Sequence, residues 1–98
     1  MKLNGCNISI SKFTEETVDD EVIIFLEEYR KIIVLNSTAA TIWKYILECY
    51  NNNKDIDYKD VAEFLKNTFD VFAPNIDELL SDIDDTVNQL YQSSIIVK

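Results

Sequence analysis

Three carboxylates crowd together near the end of the chain, Asp82, Asp84 and Asp85, and they are the first residues to test for chemistry. Paired acids divide general-acid and general-base roles only in a concave, partly dry site that separates their pKa values. The periodicity around them puts them on the outer face of a helix, which offers no such cavity, so they read as a solvated face. Elsewhere there is no histidine, no Ser-Lys or Cys-His couple and a single glycine, which leaves no nucleophile with its base and no phosphate-cradling loop. Asn53, Asp55 and Asp57 alternate as calcium ligands do, but Tyr58 stands where the sharp turn needs glycine and Phe64 where the bidentate acid belongs. Cys6 and Cys49 could pair in principle, but without histidine they fall short of a zinc site. They read as reduced thiols, Cys49 buried on its helix. The expectation is a non-enzyme with no metal and no cofactor.

Charge narrows the partners. The formal net charge is -9 and Arg30 is the single arginine, so phosphates and anionic lipid would be repelled and a basic or apolar partner is favoured. The last helix, Ile76 to Gln92, carries Asp77, Glu78, Asp82, Asp84 and Asp85 and no Lys or Arg, the wrong sign for a major-groove recognition helix. Nucleic acid is therefore not an expected partner. No run of about 18 apolar residues exists, and Leu3-Asn4-Gly5-Cys6 lacks the hydrophobic segment a lipoprotein signal needs, so no membrane partner is expected and the location implied is cytoplasmic.

The elements that must position any site are organised around Lys31 to Tyr50. Ile32-Ile33-Val34-Leu35 is short and β-branched and predicts a strand. Asn36, Ser37 and Thr38 can cap a helix in which Ala39, Ala40, Ile42, Trp43, Ile46, Leu47 and Tyr50 recur at helical spacing. Upstream, Glu21 to Leu26 predicts the other arm of a hairpin with a loop of about four residues over Glu27 to Arg30, and an earlier strand falls between Asn7 and Val18. Downstream, Asp57 and Asp60 can cap a short second helix carrying Val61, Phe64 and Leu65. Pro74, Asn75 and Glu78 open a third helix with a wide apolar stripe (Ile76, Leu79, Leu80, Ile83, Val87, Leu90, Tyr91), and Ile95-Ile96-Val97 are long enough for a short strand or an apolar tail lying against the core. Strands, three helices and a tail in 98 residues predict one α+β domain, winged helix-turn-helix-like, with an N-terminal three-stranded antiparallel sheet. The strand Lys31 to Leu35 has neither proline nor a central lysine to protect it, as an edge that receives another strand would not.

The stretch VLNSTAATIWKYIL resembles the Leu-Asn, Thr-Ala-Ala, Ile-Trp signature of PqqD-like domains, the RiPP recognition elements, and Asp82, Ile83, Val87, Leu90, Ile95 and Ile96 match the family's Asp-led helix and apolar tail. The family usually has glycine at the position of Ser94 and often phenylalanine at that of Thr86. The resemblance implies a domain that binds the leader of a precursor peptide by strand addition and presents it to a modification enzyme, namely a radical SAM maturase, a cyclase or a leader peptidase. It also implies the site: a leader lying between the strand Lys31, Ile32, Ile33, Val34, Leu35 and the third helix, where Ile76, Leu80, Ile83, Asp84 and Val87 would meet it. The alternative is a non-catalytic dimerising or scaffold winged-helix protein, since an apolar stripe and an acidic surface fit a homodimer equally well.

Overall fold

A computed structural model describes residues 1–69 and 76–98. The predicted cap of the third helix at Pro74 and Asn75 lies outside the described residues. The chain runs β1 (Lys2–Leu3), β2 (Cys6–Asn7), β3 (Ser9–Ile10), β4 (Thr14–Val18), β5 (Glu21–Leu26), β6 (Lys31–Leu35), α1 (Ser37–Asn51), α2 (Tyr58–Phe69), α3 (Ile76–Gln92) and β7 (Ile96–Val97). It is α+β, with the expected three helices and an antiparallel three-stranded sheet of order β4-β5-β6.

Turn chemistry sets that sheet. β4 and β5 are joined by Asp19 and Asp20 alone, with Asp19 at φ +56° supplying the left-handed step that a two-residue hairpin demands. β5 and β6 are joined by the expected four residues, Glu27 to Arg30, closed by the Arg30 amide donating to the Glu27 carbonyl at 3.4 Å. Period-two alternation then sorts the side chains. Val22, Ile24, Leu26, Ile33 and Leu35 face the core, while Ile32 and Val34 point to solvent on the opposite face with half-buried Ile23 and Phe25.

The asparagine before α1 caps it, the Asn36 Oδ1 accepting from the Ala39 amide at 2.9 Å. The buried face of α1 carries Ala39, Ala40, Ile42, Trp43, Ile46 and Cys49. Trp43 is fully buried, meets Phe13 edge-on at 5.3 Å between ring centroids, and its indole N–H donates to the Glu15 carboxylate on β4 at 3.2 Å. α2 begins with a reciprocal box in which the Asp60 amide donates to Asp57 and the Asp57 amide to Asp60, each at 3.0 Å. Asp55 accepts from the Lys2 amide at 2.7 Å. Two of the three alternating acidic or amide residues thus hold backbone ends.

The tail is a strand. β7 pairs antiparallel with β3, Ile10 opposite Ile96, after α3 is closed by the Ser94 amide on the Tyr91 carbonyl and the Ile95 amide on the Leu90 carbonyl, both near 3 Å. This closure needs a left-handed residue, and Ser94 supplies it at φ +65°. The single strand expected between Asn7 and Val18 is therefore two: Ile10 pairs with the tail, β4 pairs with β5, and Ile8 lies between β2 and β3 with its amide donating to the Met1 carbonyl at 3.1 Å. β1 and β2 form a further hairpin, not expected from the sequence, through Asn4 (φ +50°) and Gly5 (φ +84°), the Asn-Gly pair that selects a two-residue turn.

Candidate functional site

Among the described residues β6 is the last strand of its sheet and pairs with β5 alone. The direction of its free backbone groups follows from the ladder. Val18 and Glu21 close a hydrogen-bonded two-residue turn, so they form a bonded pair, and bonded and non-bonded pairs then alternate. Glu21, Ile23 and Phe25 thus bond to β4, which leaves Val22, Ile24 and Leu26 to bond to β6 through Leu35, Ile33 and Lys31. The amides and carbonyls of Ile32 and Val34 consequently point away from the sheet. They are a ready template for one more strand, and their side chains are 66% and 51% exposed.

Where β6 ends, a cleft of about 330 Å³ opens between the first turn of α1 and one side of α3, lined by Asn36, Thr38, Ala39, Asp82, Asp85, Thr86 and Gln89. The α3 members stand at spacings of three and four, one stripe of the helix. A strand added to β6 would run toward this cleft. The resemblance implies Ile76, Leu80, Ile83, Asp84 and Val87 of α3 as the site, whereas this cleft is walled by a polar stripe whose visible signal is the recurrence 82, 85, 86, 89 beside the core positions. Asp82 and Asp85 do border a concavity, contrary to the expectation of a flat solvated face.

The expected site residues are divided among three environments. Lys31, Ile32 and Val34 are exposed on β6, whereas Ile33 and Leu35 are buried in the core. Ile83 and Val87 are likewise core residues, at 0% and 1% exposure, so they back the helix against α1 and do not present side chains to a groove. The reason is α3's amphipathicity: its most apolar line is what the core takes. Leu80 is half-buried and lines a different, more apolar cavity of about 460 Å³ between α2 and α3, with Ala62, Lys66 and Asn67. Asp84 also faces α2, accepting from the Tyr58 hydroxyl at 3.3 Å and the Asn88 side-chain amide at 3.4 Å. Ile76 is the first residue of α3.

Burial, and then the charge and hydrogen bond of Asp84, push the Tyr58 hydroxyl up to about 12. Burial raises the Tyr91, Tyr45 and Cys49 groups as well. Cys6 is exposed and Cys49 buried, both as free thiols. No group of three or more His, Cys, Asp or Glu among the described residues could hold a metal ion, and no described helix is long and apolar enough to cross a membrane.

An α+β fold of this order occurs among solved structures. The chain superposes on TbiB1 in complex with the TbiA(beta) leader peptide with a TM-score of 0.70 and 15% sequence identity, over 90% of this chain and 93% of that one. At that identity the likeness establishes the shared fold alone. No protein-family model and no curated protein matches the chain.

Proposed function

We propose that the chain is a single peptide-recognition domain that binds the leader of a ribosomally made precursor by strand addition to β6 and presents it to a modification enzyme, a radical SAM maturase, cyclase or leader peptidase. It holds the substrate and leaves the chemistry to that partner, in the cytoplasm, using a winged-helix scaffold whose third helix serves a peptide instead of DNA. The observation that carries the reading is the outward backbone of Ile32 and Val34 beside the α1–α3 cleft, in a fold shared with a structure that contains a leader peptide. Main-chain pairing along Lys31–Leu35 supplies affinity and the α3 wall supplies selectivity. Ile33, Leu35, Ile83 and Val87 contribute from the core by fixing strand and helix. The test is titration of the protein with labelled leader peptide from a precursor encoded beside its gene, before and after Val34→Pro. Unaltered binding by a folded Val34→Pro protein would overturn the reading, as would a locus with neither precursor nor maturase.

One observation favours the scaffold alternative: the outer face of the sheet exposes Ile32, Val34 and Val18 together. Sedimentation across a concentration series distinguishes a homodimer built on that face from a monomer awaiting a peptide.

A further inference from the structure

Thr86 is 8% exposed and lines the α1–α3 cleft. A threonine inside a helix ordinarily returns its hydroxyl to the carbonyl one turn back, as Thr41 does to Ser37 at 2.9 Å. The Thr86 hydroxyl makes no such bond and has no other partner among the described residues. Yet no fully buried side-chain nitrogen or oxygen among those residues is left without a partner, so this hydroxyl opens onto the cleft. Around it stand the carboxylates of Asp82 and Asp85 and the amide of Gln89, and none of the lining side chains is cationic. The positive feature among the described lining is the start of α1, worth about half an elementary charge. Its Ala39 amide is already capped by Asn36, and two carboxylates outweigh it. The described lining thus carries two negative side chains and no positive one.

We propose that this cleft is a specificity pocket for one basic side chain, lysine or arginine, of the peptide that pairs with β6. The inference rests on the strand-addition reading and adds its chemical selectivity. Because the pocket begins where β6 ends at Leu35 and Asn36, the residue it takes lies at one fixed position, just beyond those paired with Ile32 and Val34. An ammonium or guanidinium group there reaches the two carboxylates, with the Thr86 hydroxyl and the Gln89 carbonyl oxygen as neutral acceptors. Bonds of this charge-assisted kind are stronger than neutral ones and, for arginine, directional.

The test is selection of randomised peptides of about a dozen residues, long enough to span an edge strand, displayed on their own messenger RNA. Baits are the wild type, Asp82→Asn/Asp85→Asn and Val34→Pro, each checked for folding by circular dichroism. Wild-type binders are expected to share one Lys or Arg at a fixed distance from their strand-forming core, and the double variant to select binders without it. Replacing that residue by norleucine should weaken binding to the wild type about tenfold and to the double variant hardly at all. Basic residues scattered along the binders, or equal weakening with both baits, would reduce the effect to attraction by net charge and overturn the pocket while leaving strand addition standing. Thr86→Val should lower the preference without abolishing it. Binders that Val34→Pro retains, or no binders at all, would instead overturn strand addition, and the pocket with it.

Discussion

β6 and α3 are both amphipathic, and they divide their faces in different ways. In β6 the division is by alternate residues: Ile33 and Leu35 enter the core while Ile32 and Val34, equally apolar, stay outside. In α3 it is by stripe: Ile83, Val87 and Leu90 enter the core, Leu80 and Asp84 turn to α2, and Asp82, Asp85, Thr86 and Gln89 face the cleft. Under the strand-addition proposal, the exposed apolar residues of the β6 edge would meet a peptide, the apolar residues of α3 serve packing, and the face of α3 turned to the peptide would be its polar flank.

The largest effect expected belongs to the core that both elements share. Trp43→Ala removes a fully buried indole with its edge-on Phe13 contact and its bond to Glu15, at a cost of about 3–5 kcal/mol. That is a large part of a small domain's stability. A thermal or urea midpoint unchanged by the substitution would contradict the placement of α1 beneath the sheet.

Proline at adjacent positions of β6 tests the two faces of the strand directly. Ile33→Pro removes an amide that bonds to β5 and truncates a core side chain, so it should destabilise by about 2–4 kcal/mol. Val34→Pro removes an amide that faces outward, which edge strands tolerate. It should leave the urea midpoint nearly unchanged and abolish pairing with every leader, whatever its side chains. If the two variants exchanged phenotypes, the ladder phase would be one residue out.

On α3 the comparison is between sides. Leu80→Asp places a charge in the α2–α3 cavity, so folding should weaken modestly and leader affinity change less than about twofold; a loss near 2 kcal/mol or more, typical of a desolvated anchor, would move the groove to the apolar side of the helix. Asp85→Asn should do the reverse. For a leader carrying Lys or Arg, stopped-flow association should slow as salt screens the acidic surface. Asp85→Asn should flatten that dependence while the melt stays where it was.

The resemblance, the strand-cap-helix run and the caps at Asn36 and Asp57 were legible because each is a local rule: β-branching, a side-chain acceptor at a helix start, an apolar residue every three or four. The pairing of β3 with β7 was not, because Ile10 and Ile96 are brought together only by the three helices between them. The cleft was illegible for a related reason. Asn36 and Gln89 carry no mark of a site until α1 and α3 cross, and the helical period that locates a core says nothing about which polar flank will meet a neighbour. Ser94 takes left-handed backbone at φ +65°, where the domains the sequence resembles usually have glycine, the residue that adopts it most readily; that backbone was not among the expectations from the sequence.

The smallest effect separates Asp84 from Asp85, one residue apart on different sides of α3. Asp84 accepts from the Tyr58 hydroxyl, which burial and then that carboxylate push up to about 12. A phenol whose folded pKa exceeds its unfolded value of about 10 holds its proton longer in the folded state. This contribution is complete below pH 10 and is lost as pH climbs toward 12. Tyr58→Phe removes the titrating group, so its alkaline loss of stability should be shallower than the wild type's. Some slope should remain, because burial also raises Tyr45, Tyr91 and Cys49. Asp84→Asn keeps an acceptor but removes the charge, so the raise should shrink without vanishing, since burial persists, and the alkaline loss should end at lower pH and be smaller than the wild type's. Near neutrality both variants should lie within about 1 kcal/mol of the wild type, the scale of one solvent-accessible hydrogen bond. Urea titrations from pH 8 to 11.5 measure this, and leader binding at pH 7 should be the same for both. Reduced binding by Asp84→Asn comparable to that of Asp85→Asn would mean that the cleft wraps around α3 and that the two sides act as one.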